Sequence, residues 1–154
     1  MTICIGIDPG IVNMGVFALD KRSQRPELSA VVKIGRGNML SRDIVPAVFR
    51  EMDKIIPISY HRRSVHVAIE NQMKRKMIVV QAALQAYFIS KGCTVSIVHP
   101  ATVKRGVGLK CEGYKRNKKN AVKFMQGKGY DLNHIKKKDD ISDSYMMAYY
   151  LATK

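Results

Sequence analysis

Two carboxylates in this sequence end runs that should be buried. Asp8 closes Ile3-Cys4-Ile5-Gly6-Ile7, and Glu70 closes Val65-His66-Val67-Ala68-Ile69; both are β-rich runs of strand length. An ionised carboxylate in such a place costs free energy unless a cation or several hydrogen bonds satisfy it. Taken singly, Asp8 also reads as the turn aspartate of Asp-Pro-Gly, and Glu70 as a surface residue at a strand end. A third acidic feature is Asp139, Asp140 and Asp143, at the start of a segment otherwise made mainly of Ile, Met, Tyr, Ala and Leu. Acidic residues there also suit a helix dipole. Asp140 and Asp143 share a helix face at i, i+3, Asp139 and Asp143 do so at i, i+4, and spacing does not choose between them.

If the strands ending in Asp8 and Glu70 are parallel neighbours, their carboxylates emerge on the same side at one sheet edge, where open mixed sheets place their sites. Carboxylates gathered there would repel one another and raise each other's pKa, so hard divalent cations are the economical partner. Oxygen ligands without His or Cys point to magnesium, with manganese as a substitute. Two such ions about 3.5 to 4 Å apart activate a water on one side of a phosphodiester and stabilise the leaving oxygen on the other. The reaction class expected is phosphodiester hydrolysis.

The elements that must position these groups are legible in outline. Ile3 to Asp8 and Met14 to Leu19 read as a hairpin, and Leu28 to Ile34 as a third antiparallel strand. Between Asn38 and Ile56 the apolar residues Leu40, Ile44, Val48, Met52 and Ile55 recur every three or four positions, which predicts an amphipathic helix with Pro46 confined to its first turn. Val65 to Glu70 is the fourth strand, Met77 to Ser90 a helix ending near Gly92, and Thr94 to Val98 the fifth strand. After Pro100 a basic stretch reads as loop and helix, its first part broken by Gly106, Gly108 and Gly113, with Asn120 to Gln126 helical; Asp140 to Ala152 is the closing helix. This order predicts an α/β protein, a five-stranded mixed sheet with helices packed on both faces, in one domain over residues 1–154.

Composition narrows the partner. Twenty-seven Lys and Arg against twelve Asp and Glu give a formal net charge of +15, which predicts a polyanion, with nucleic acid ahead of a membrane surface. No run is apolar enough to span a bilayer and no signal-like segment opens the chain, so a soluble, intracellular protein is expected. Cys4, Cys93 and Cys111 lack zinc-ligand spacing and read as free thiols. His61, His66, His99 and His134 are scattered, and each reads as a structural histidine.

Ile5-Gly6-Ile7-Asp8-Pro9-Gly10 with Asn13-Met14-Gly15, then Ala68-Ile69-Glu70-Asn71-Gln72, then Asp139-Asp140-Ile141-Ser142-Asp143-Ser144 together resemble the poxviral Holliday junction resolvases, relatives of the bacterial RuvC-type enzymes. The likeness covers essentially the whole chain. It implies a ribonuclease H-like fold, a homodimer with two active sites, and paired symmetric nicks in four-way DNA junctions. Those nicks would leave 5′-phosphate and 3′-hydroxyl ends during processing of viral DNA concatemers, at replication sites in the host cytoplasm. It maps metal-binding carboxylates onto Asp8, Glu70, Asp140 and Asp143, leaving Asp139 as a helix cap or supporting residue. It also maps lysines near the scissile phosphate onto Lys104 and Lys119, with Lys118 adjacent. Where the bacterial pattern has an aromatic residue after the strand-end glutamate, this chain has Met73, which can wedge but not stack as a ring does.

The candidate DNA surface comprises Met73, Lys74, Arg75, Lys76, Lys104, Arg105, Lys110, Tyr114, Lys115, Arg116, Lys118 and Lys119, with Lys123, Lys128, Lys136 and Lys137 continuing the run. Contacts of this kind go mainly to phosphate and read shape more than bases. Tyr114 is a candidate for stacking on an opened base. The Met77 to Phe88 helix is apolar around its circumference and is the candidate dimer contact. An RNA:DNA hybrid nuclease would share the metal site without needing a dimer. A noncatalytic DNA-binding protein gives no reason for carboxylates at strand ends, and 154 residues leave no room for the two domains of an actin-like ATP-binding protein.

Overall fold

The computed structural model of the chain describes residues 1–110, 112–133, 135 and 137–154. Cys111, His134 and Lys136 lie outside the described residues, and with them one of the candidate free thiols, one of the histidines and one lysine of the basic run.

Five strands form one mixed sheet: β1 (Thr2–Asp8), β2 (Met14–Asp20), β3 (Pro26–Val32), β4 (Ser64–Glu70) and β5 (Thr94–Val98), in the order β3-β2-β1-β4-β5. β1 pairs antiparallel with β2 and parallel with β4, which in turn pairs parallel with β5. The chain therefore builds outward from β1 on one side, then restarts on the other side at β4. The parallel β1–β4 step is the switch point at which open sheets hold ligands, and the expected strand neighbours are found there.

Alternation along the strands separates two cores. Ile3, Ile5 and Ile7 of β1 with Val65, Val67 and Ile69 of β4 face the layer of α1 (Ser41–Ile55) and α2 (Arg75–Ser90). Cys4 and Ala68, with Phe17 and Leu19 of β2, face the other layer: α3 (Pro100–Gly106), α4 (Tyr114–Gly127) and α5 (Lys138–Ala152). Because side chains alternate with period two, Asp8 and Glu70 belong to the same face as Cys4 and Ala68, the face covered by α5. This is the ribonuclease H-like arrangement expected, with helices on both sides of the sheet.

Two glycines set how closely α5 approaches. A Cβ on Gly6 would collide with the Ser144 carbonyl and come within 2.7 Å of the Ala148 nitrogen; one on Gly15 would strike the Asp140 carbonyl oxygen and lie 2.7 Å from its carbon. With hydrogen at both places, the α5 backbone rests directly on β1 and β2. Ser142 and Ser144 are fully buried in this contact, and their hydroxyls donate to carbonyls within the helix. Such pairing removes most of the cost of burying them.

Two local expectations are corrected. Pro46 lies in the second turn of α1, since that helix begins at Ser41. The ring deprives the Arg42 carbonyl of its helical donor, but Arg42 and Pro46 are both exposed, so water can meet that carbonyl. The segment before Asn120 is helical from Tyr114, just after Gly113 at φ 99°. Only Ala121 and Met125 of α4 are fully buried, an i, i+4 stripe too narrow for its period to stand out among the lysines. Among the described residues no helix is long and apolar enough to cross a membrane.

Candidate active site

Parallel register sets Ile7 beside Ile69, one residue before Asp8 and Glu70 on their strands. The two carboxyls lie close enough to act on one another. Both are raised above the ordinary carboxylate range, chiefly because burial penalises the charge. For Asp8, the charges of Glu70, Asp143 and Asp140 push in the same direction. Burial, followed by the Glu70 charge, pushes the Asp143 carboxyl up to about 7. Asp140 is raised by burial and then by its neighbour Asp139. Asp8 thus feels the charges of the three other carboxylates that the resemblance assigns to the metal, Glu70, Asp143 and Asp140.

Lysines surround the group unequally. Lys104 of α3 is buried, 9% exposed, and its charge opposes the rise at Glu70 and Asp143. A cavity of about 160 Å³ opens beside them, with Lys118, Asn117 and Tyr114 on its α4 wall and Glu70, Lys104 and Asp143 opposite. Lys118 Nζ donates to Asp139 Oδ2 at 2.9 Å and stands 4.7 Å from the centre of the Tyr114 ring. Asp139, lifted by burial but pulled down more strongly by Lys118, is held below its ordinary value. Lys119 is turned away: it is exposed and lines a neighbouring groove of about 490 Å³ with Lys123 and Lys138, to which Lys118 also contributes.

His99 is a neighbour that sequence reasoning missed. It ends the β5 segment beside Glu70, its Nδ1 accepts from the Ala101 N–H at 3.2 Å as the cap of α3, and it lowers the pKa of Glu70. The signal was present, because Pro100 in the next position marks a helix start and makes His99 its cap.

The rest of the candidate DNA surface is dispersed around this centre. Met73 is 88% exposed and Tyr114 75% exposed. Lys74, Arg75, Arg105, Lys110, Lys115 and Arg116 are exposed, and Lys76 is half-buried. Gly106 serves packing, since its missing Cβ leaves room for the Tyr150 ring. Gly108 and Gly113 carry positive φ with open space around them, the backbone freedom that glycine supplies. Another hollow, about 650 Å³, lies at the opposite end of the sheet by Thr2 and Lys21. Its one acidic group, Asp20, is engaged by the backbone and hydroxyl of Ser23.

The donor set suits a hard cation: four carboxylates, oxygen only, buried enough to resist staying ionised together. Among the described residues no three such ligands are gathered closely enough to close around an ion.

A family model described as "Poxvirus A22 protein" matches residues 1–153. A search of curated proteins by sequence returned no match. Among solved structures, RuvC of Thermus thermophilus superposes with a TM-score of 0.68 at 19% identity, over 98% of this chain and 96% of that one. T. thermophilus RuvC in complex with a Holliday junction substrate superposes equally, at 0.68 and 19%, over 97% of this chain and 92% of the other.

Proposed function

The chain belongs to the poxvirus A22 protein family, the viral Holliday junction resolvases, and from that membership we propose how this junction-resolving endonuclease cuts. The observation that carries the reading is that Glu70 and Asp143 line one cavity with Lys104 and Lys118, while Asp8 is buried within electrostatic reach of Glu70, Asp143 and Asp140. These four carboxylates hold divalent cations, magnesium by preference and two per site. When bound, such ions lower the pKa of a water and offset charge on the leaving oxygen.

The protein's own part is positioning and electrostatics. Burial raises both Asp8 and Glu70, so both must lose their protons before they can serve as ligands, and cation binding should weaken as pH falls. Lys104 and Lys118 bring two ammonium groups to the edge of that cluster, where negative charge builds up on the phosphate during cleavage. Lys119, Lys123 and Lys138 hold flanking phosphates in the adjacent groove. Met73 projects at the rim as an apolar wedge for an opened junction centre, and Tyr114 offers a ring to a base beside the cut. The products are nicks with 5′-phosphate and 3′-hydroxyl ends, and the work is the processing of viral concatemers in the host cytoplasm.

Two equivalent cuts in a four-way substrate call for two equivalent sites, so the working unit is a homodimer of this one-domain chain. Its contact is assigned to α2, where Ile78, 47% exposed, and Ile89, 59% exposed, flank the exposed Ala82 and Ala86. Aspartate in place of Ile78 is expected to yield monomers by light scattering.

The test is incubation with a synthetic immobile four-way junction, a matched linear duplex and a matched RNA:DNA hybrid, each with and without magnesium. Paired nicks in the junction only, and only with the metal, are expected. Preferential cutting of the hybrid would replace this reading with a hybrid nuclease.

A further inference from the structure

Lys118 stands on the wall between two spaces. It lines the cavity of Glu70 and Asp143 on one side and the groove of Lys119, Lys123 and Lys138 on the other. A lysine is a point charge on a flexible stem, and this one shares its cavity with the Glu70 and Asp143 carboxylates and lies on the helix that faces the start of α5. Left free, it would settle on those oxygens, neutralise them and compete with any cation for the same lone pairs. Its ammonium is instead fixed 2.9 Å from Asp139 Oδ2, with the Tyr114 hydroxyl as a further partner. Asp139 thus offers the lysine a carboxylate outside the four that the proposed mechanism uses.

The pair also ties two elements together. Lys118 is on α4 and Asp139 is in the first turn of α5, the turn that carries Asp140. We propose that Asp139 is a positioning residue for cleavage: it holds Lys118 Nζ beside the cavity and off the Glu70, Asp140 and Asp143 oxygens, so that those oxygens stay available to a divalent cation and the ammonium stays available to the scissile phosphate. The inference rests on the four-carboxylate reading above. It explains an aspartate adjacent to the set that is paired to a lysine while its neighbours are crowded by one another.

The test uses the full chain and a readout independent of cleavage, the rise in Tm as magnesium chloride is titrated in, alongside single-turnover cleavage of a four-way junction. Asp139→Asn releases Lys118 onto the other carboxylates, and the magnesium concentration giving half the rise in Tm is expected to increase about tenfold. Asp139→Glu restores most of the response. In a Lys118→Met background, Asp139→Asn leaves the midpoint where Lys118→Met alone puts it, and cleavage falls no further. An unchanged midpoint in Asp139→Asn overturns the proposal, as does an equal shift with and without Lys118. A packing defect would persist in the double variant, so lower stability of Asp139→Asn does not obscure the result. Glu70→Gln, run in parallel, separates the two levels. If it leaves the magnesium response intact, the four-carboxylate reading fails; if it removes the response while Asp139→Asn keeps the wild-type midpoint, the role of Asp139 alone is refuted.

Discussion

Gly15→Ala should separate folding from cleavage. The added Cβ would meet the backbone of Asp140, with its carbonyl carbon at 2.7 Å, and the Ser144 hydroxyl at 3.2 Å. Neither the strand nor the helix backbone can swing aside as a side-chain tip does. Carbon atoms pack at about 3.5–4.0 Å, so the first turn of α5 must back off by about 1 Å. Overpacking of this kind costs about 1–3 kcal/mol, and a shift of about 1 Å in reacting groups costs on the order of 10²-fold in rate. The displaced turn carries Asp140 and leads to Asp143, while Met73 and the exposed lysines lie elsewhere. Single-turnover cleavage of a four-way junction at saturating protein is therefore expected to fall on the order of 10²-fold, with junction affinity retained and Tm modestly lowered. Gly127→Ala is the control, because nothing lies within 4 Å of its added Cβ, and it should cleave normally. Wild-type cleavage by Gly15→Ala would refute the reasoning, and so would loss of Tm with full cleavage, which would detach α5 from the chemistry.

Two further outcomes follow from the same geometry. With the Asp143 carboxyl pushed up to about 7, the folded protein keeps a proton that the unfolded chain has already released. Metal-free stability should then fall as pH rises from the ordinary carboxylate range through about 7, by up to roughly 4 kcal/mol from this group; Asp143→Asn should flatten the fall in thermal melts, and a steeper fall in that variant would contradict the assignment. Tyr60 is 4% exposed and its hydroxyl has no hydrogen-bond partner among the described residues, so Tyr60→Phe should leave stability unchanged or raise it by about 1 kcal/mol in chemical denaturation; a loss of that size would contradict this reading.

What the sequence made legible, and what it hid, has a physical pattern. The strands ending in Asp8 and Glu70 were readable because a carboxylate at the end of an apolar run is costly, and period-two alternation then determines which face it shares. The α5 segment was readable from the apolar run Tyr145 to Ala152 that follows its acidic start. The choice between Lys118 and Lys119 was not, because adjacent helical residues point about 100° apart and the phase of α4 follows from where it starts. That start, Tyr114 after Gly113, sits in a run of lysines that looks like loop. Whether Asp139 or Asp140 joins Asp143 was likewise undecided by spacing. In the fold, Asp140 acts on Asp8, whereas Asp139 is engaged by Lys118 and also acts on Asp143. The tightness of the α5 contact depended on Gly6 and Gly15, which in sequence merely look like weak points in strands.

Asp8→Asn is the most direct measurement of the central claim that these carboxylates exist to hold cations for cleavage. The variant keeps the shape of the side chain and removes its charge. Bound to a four-way junction in calcium and then shifted to magnesium, it is expected to hold the junction with wild-type affinity and to leave it uncut. Cleavage at the wild-type rate, or loss of junction binding in step with cleavage, would contradict the account.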